Sequence, residues 1–201
     1  MILRMLNIIA ILFVFSQVSA QDLGSTTNKV YKNVKDAITA QESGFDVVHL
    51  DLKREKLEIV PLEIAQFTHL KSLILDKNNI SEIPDWFRNF KELEVLSISR
   101  NNLEEFPPVI LELSNLRTLK LGDNLISEIP IDIDKLENLE SLWLWSNVIR
   151  KYPASLSDLK KLEYLDLLYN DMAYEEQVWL RELLSDVIIE FSDPCNCEFD
   201  E

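Results

Sequence analysis

The chain repeats itself every 23 residues. Segments that begin at Val47, Leu70, Leu93, Leu116 and Leu139 align without gaps, and a shortened sixth begins at Leu162. A fixed period of this length marks a solenoid, because one such unit cannot bury its apolar face until a neighbour stacks on it. Each unit opens with apolar residues at positions one, four and six, as in "LKSLIL", "LRTLKL" and "LESLWL". That alternation fits a half-buried strand. At position nine stand Asn78, Asn101, Asn124, Asn147 and Asn170, while Glu55 takes that place in the first unit. A buried amide there can bond backbone groups where the chain leaves the strand. Glu55 departs in an end unit, where no preceding neighbour has to be satisfied.

A second column holds Pro61, Pro84, Pro107, Pro130 and Pro153. Each lacks an N–H and has a fixed φ, which keeps the returning segment out of a sheet. Apolar residues then recur three apart, as in Pro84, Phe87 and Phe90. This spacing suits a short helical return.

The pattern LxxLxLxxNxLxxaPxxaxxaxx, where a is apolar, resembles the leucine-rich repeat of 23 residues, and its Ile-Pro return resembles the bacterial variety. The likeness covers residues 47–172 as six repeats. It implies an α/β fold, a leucine-rich-repeat solenoid. The expected shape is a curved right-handed horseshoe segment with a parallel concave β-sheet, short helical or irregular convex returns and helical caps. Six strands about 4.8 Å apart would make a face roughly 24 Å across.

The flanks read as caps, because an open solenoid end exposes core. Residues 21–46 are read as a linker and cap helix. Asn33 can N-cap it with Asp36 in the first turn. Val34, Ala37 and Ile38 form its apolar stripe, and Gly44 can end it. Residues 173–192 read as a C-terminal cap helix and strand. Glu175 and Glu176 begin the helix, Leu180, Leu183, Leu184 and Val187 keep helical spacing, and "VIIEF" forms the strand. Both flanks resemble those of secreted bacterial leucine-rich-repeat proteins.

Residues 1–20 have another character. Arg4 precedes an apolar run, and Val18 and Ala20 stand where an exporting peptidase needs small residues, which predicts a signal peptide cut after Ala20. The run is shorter than the roughly 20 residues that span a bilayer, so no stable membrane span is expected after cleavage. The expected location is secreted, periplasmic or at the cell surface. Residues 193–201 form an acidic tail carrying Cys195 and Cys197. A disulfide between them would close a small, strained ring, which leaves a solvated tail or an intermolecular bridge.

Two tryptophans stand out in "SLWLWSN". Leu142 and Leu144 fall in the core columns, so Trp143 and Trp145 project from the concave face. The column of Trp143 also holds Asp51, Ile74, Ser97, Lys120 and Asp166. That of Trp145 holds Lys53, Asp76, Ser99, Gly122 and Leu168. Repeats five and six therefore bring Trp143, Trp145, Tyr164, Leu168 and Tyr169 together, with Lys120 and Asp166 as polar neighbours. A contiguous exposed aromatic patch marks a contact surface, and Trp and Tyr are enriched at binding hot spots. Two alternatives stay open: that the C-terminal cap or tail folds over these rings, or that neighbouring strands stack them for stability. Trp86 and Trp179 are read as packing residues.

The chain carries 35 acidic residues against 20 Lys and Arg, a net charge of −15. That repels phosphate backbones, so no nucleic-acid partner is expected. Its three glycines leave no phosphate-cradling loop. There is no G-x-S-x-G, H-E-x-x-H or P-loop motif, and no cofactor, metal site or catalytic residue is expected. His49 and Asp51 share the concave face, but no nucleophile accompanies them. The expected function is a non-enzymatic, secreted module that recognises a protein or peptide on its concave face, with the surrounding charge favouring a basic partner. Glycan binding on the Trp and Tyr rings is one alternative, and a structural, self-associating envelope component is another.

Overall fold

In each repeat two core leucines alternate with outward side chains, and stacking the repeats turns that alternation into a sheet. The structure, a computed structural model, describes residues 29–193. Its eight strands are β1 (Val30–Tyr31), β2 (His49–Asp51), β3 (Ser72–Ile74), β4 (Val95–Ser97), β5 (Thr118–Lys120), β6 (Ser141–Trp143), β7 (Tyr164–Asp166) and β8 (Ile188–Glu190). All pair in parallel and in sequence order. From β2 to β7 the pairing advances by one repeat length: Leu50, Leu73, Leu96, Leu119, Leu142 and Leu165 stand side by side. These six leucines are fully buried, as are Leu75, Leu121 and Leu144 two places on. Burying each is worth about 1.5–3 kcal/mol, which sets the period.

The asparagines pin the repeats together. The Asn124 amide donates to the carbonyls of Leu121 in its own repeat and Ile98 in the one before, at 2.9 and 3.0 Å. Its oxygen accepts the Leu103 N–H at 3.1 Å. Asn78, Asn101, Asn147 and Asn170 make the same three bonds to their own neighbours. Every amide thus ties two turns of the chain. Glu55 has no earlier repeat to tie and is exposed.

The convex returns are 3-10 turns at Leu62–Gln66, Asp85–Asn89, Pro108–Glu112, Ile133–Lys135 and Ala154–Asp158. Four of the five follow directly on the proline of the column. Trp86 packs here as expected, against Phe87 and Phe90 with centroid distances of 5.0 and 5.8 Å.

Helix α1 (Val34–Glu42) closes the N-terminal end. The Asn33 side chain accepts the Asp36 N–H at 2.8 Å, and Gly44, at φ 85°, follows its last turn. Helix α2 (Tyr174–Leu183) closes the other end, with Leu180 and Leu184 buried. The Glu176 carboxylate accepts the Ala173 N–H at its start, at 3.0 Å. The sheet has one strand more than the six repeats and the "VIIEF" segment predict. β8 comes from the "VIIEF" segment, whereas β1 lies in the stretch read as linker and cap helix, where two residues show no alternation. Trp179 also departs from expectation: it is 39% exposed on α2 rather than packed. The signal-peptide segment and both cysteines lie outside the described residues.

Candidate functional site

The site begins from the pleat. Leu142 and Leu144 are buried, so Trp143 and Trp145 emerge on the concave side. Neither stands free there; both are half-buried. Trp143 leans on Tyr164 of the next strand, with ring centroids 4.8 Å apart and planes tilted by 46°. The Lys120 ammonium, from the preceding strand, lies 4.7 Å from the Trp143 ring centroid. A cation over an aromatic face is attracted by the ring quadrupole. Lys120, Trp143 and Tyr164 therefore form one cluster across β5, β6 and β7.

Trp145 belongs to a second cluster. It reaches back over Gly122, where a Cβ would fall 2.5 Å from two atoms of the indole. Only the lack of a side chain lets the ring lie there. With Gly122 empty, Arg100 reaches past it from two repeats away, and its guanidinium stands 5.6 Å from the Trp145 centroid. Gly122 and Arg100 were not singled out from the sequence. The signal was there, in a lone glycine beside a tryptophan in the same column.

The leucine-rich repeat region family matches residues 33–188. The chain belongs to the leucine-rich repeat family. It is similar to a leucine-rich repeat protein of Leptospira interrogans, with 27% identity and a TM-score of 0.63 over 76% of this chain and 44% of the other. It also resembles internalin C2 of Listeria monocytogenes, with 22% identity and a TM-score of 0.61 over 73% and 62%. A chain of the LRIM1/APL1C complex matches with 26% identity and a TM-score of 0.59 over 65% and 25%. This chain therefore spans under two thirds of the length of each. No curated protein matches it. Leucine-rich-repeat solenoids offer extended concave surfaces and commonly serve as protein-interaction modules.

Within this leucine-rich-repeat chain the remaining candidates are placed unevenly. Leu168 is half-buried on the concave side. Tyr169 is 72% exposed but sits at the rim, on a left-handed turn with φ 59°. Asp166, expected as a polar neighbour open to a ligand, is only 4% exposed. Its carboxylate accepts the Leu168 N–H at 3.0 Å. Burial, opposed by that bond and assisted by Glu190, holds its carboxyl above the ordinary aspartate range. Asp166 thus shapes the turn and the local charge instead of offering a free acceptor. Burial, with Asp166 and Glu190 nearby, likewise raises the Tyr164 phenol. Ser97, in the column of Trp143, is buried and donates to Asp76 at 2.6 Å. Of the two structural alternatives, stacking between neighbouring strands is seen in the Trp143–Tyr164 pair.

Proposed function

We propose that this protein is a non-enzymatic binding module that recognises a protein or peptide through the concave face of repeats three to six. The supporting observation is the pair of clusters, Lys120–Trp143–Tyr164 and Arg100–Trp145, on an open sheet face. Nothing in the repeat demands large rings there, since the same two columns hold Ser97 and Ser99 two repeats earlier. Aromatic and Arg side chains are the residues that carry binding energy at interfaces. The leader-like residues 1–20 support export of the protein from the cytoplasm as part of this reading.

Glycan binding is the weaker reading. Stacking a sugar needs a bare ring face, and each indole already carries a cation over it. Self-association through the same patch is the other, and a dimer dissolved by Trp145→Asp would select it. The net charge of −15 favours a basic partner over most of the surface, but the cations beside the two indoles run the other way.

The experiment is capture of partners from surface and envelope extracts on immobilised protein, alongside a folded Trp143→Ala/Trp145→Ala variant. A protein retained by the wild type and lost by the variant supports the reading. Equal capture by both would place the site elsewhere, and release by free sugar would move the reading to a glycan.

A further inference from the structure

Beside the concave face the chain leaves each of the six repeat strands through a left-handed residue at the same position of the repeat. In order these are Arg54, Lys77, Arg100, Asp123, Ser146 and Tyr169, with φ between 53° and 65°. Each of the first three donates its N–H to the next repeat, to Asp76 O at 3.0 Å, Ser99 O at 2.9 Å and Gly122 O at 2.8 Å. Their backbones are thereby held one strand spacing apart, about 4.8 Å. Lys53 precedes the first. Three neighbouring rungs thus carry Lys53, Arg54, Lys77 and Arg100 along one rim.

The fold does not ask for these cations. Left-handed positions favour Asn, Asp and Gly, and the same column holds Asp, Ser and Tyr further on. Like charges so close repel: Arg54 above all, then partial burial, Arg100 and Lys53 hold the Lys77 ammonium below the ordinary lysine range, against Asp76. Arg100 pairs with Asp123 at 3.4 Å, while Lys53, Arg54 and Lys77 pair with no described carboxylate. In a chain with 35 acidic residues, Asp76 and Asp123 offset the repulsion at this rim only in part, as at a surface shaped for an anion.

We infer that the rim formed by Lys53, Arg54, Lys77 and Arg100 docks an acidic stretch of a peptide whose apolar stretch lies against Trp143 and Trp145; the apolar half rests on the function proposed above, the acidic half does not. Arg100 joins the two halves, since it stands in the cation row and over the Trp145 ring. The row from Arg54 to Tyr169 spans five strand intervals, roughly 24 Å, which an extended peptide covers in about seven residues. Cations line its first half, and Ser146 and Tyr169 end it. A sulfated polysaccharide, charged along its whole length, would find no cation in that second half of the row. A peptide can change from acidic to apolar midway.

The test is fluorescence anisotropy of labelled probes with the purified protein at low salt. The probes are hexaglutamate, hexalysine, dextran sulfate and a heptapeptide of three glutamates, a glycine, leucine, phenylalanine and leucine. The wild type should bind the heptapeptide more tightly than hexaglutamate, and both should weaken as salt rises. Arg54→Glu/Lys77→Glu should weaken both roughly tenfold or more, as charge reversal at an interface does. Arg54→Gln/Lys77→Gln should do so in part, and guards against a folding effect of the reversal. Lys135→Glu/Lys160→Glu, on the convex returns, should change neither. Trp143→Ala/Trp145→Ala should lower only the heptapeptide, to the level of hexaglutamate. If that variant lowers nothing, the aromatic reading fails while the cation strip stands. If hexaglutamate does not bind, if the two charge-reversal pairs act equally, or if dextran sulfate alone depends on Arg54 and Lys77, the inference is overturned.

Discussion

Trp145 lies across Gly122, one strand over, in space that any side chain at 122 would fill. Gly122→Ala should therefore push the indole out toward solvent. The protein should fold and lose at most about 1–3 kcal/mol, the usual range for overpacking. Acrylamide quenching should rise in the Gly122→Ala protein, and the rise should vanish when Trp145 is also changed to Phe. Unaltered quenching would mean that the ring does not rest on Gly122.

The amide ladder makes a sharper stability prediction. Asn124→Ala leaves the buried Leu103 N–H without its partner, and takes one of two amide donors from each of the carbonyls of Leu121 and Ile98, which keep Asn147 and Asn101. A buried polar group left unpaired costs about 1–3 kcal/mol, so a loss of about that size is expected in urea unfolding. Exposed Asn102, five places before Pro107, should change to Ala within about 0.5 kcal/mol. Similar midpoints for the two variants would show that the ladder is not what ties the repeats.

Much of this was legible before any coordinates. The core columns, the amide ladder and the prolyl returns follow from a single period, because each column has one environment repeated. The outward columns gave the place of Trp143 and Tyr164 for the same reason. Column position says nothing about how a side chain leans, however. It could not show that Trp145 folds back on Gly122, or that Asp166 turns inward to the Leu168 N–H. The cation row was readable down one column, but its meaning depends on the left-handed turn that sets Arg54, Lys77 and Arg100 side by side. β1 escaped because two residues carry no periodicity.

Asp166 gives a pH signature. Its carboxyl is held above the ordinary aspartate range chiefly by burial, with Glu190 acting in the same sense and the Leu168 N–H against it. A carboxyl raised on folding binds its proton more tightly in the folded state. It therefore adds stability as pH falls through its folded value toward the unfolded one, and subtracts stability above both. Asp166→Asn should raise the urea midpoint at pH 7, and the gain should fade as the pH drops to about 3.9 and below. A midpoint that is lower at pH 7 would show that the ionised carboxylate is favoured, by its bond to Leu168.

Ser192 ends the ladder of rim bonds. In the earlier repeats the left-handed residue donates to a backbone carbonyl of the next strand, as Ser146 does to Leu168 O at 2.7 Å. After the sixth repeat the Tyr169 N–H donates instead to the Ser192 hydroxyl at 2.6 Å. The Ser192 carbonyl in turn accepts from Gln177 of α2 at 3.1 Å, so one residue joins the last repeat to its cap. Ser192→Ala should cost about 0.5–1.5 kcal/mol, the net worth of one such bond. Amide exchange should locate the loss: faster at Tyr169, unchanged at Ser146 and Arg100. A uniform acceleration along the whole rim would show that the cap holds the entire solenoid rather than its last turn.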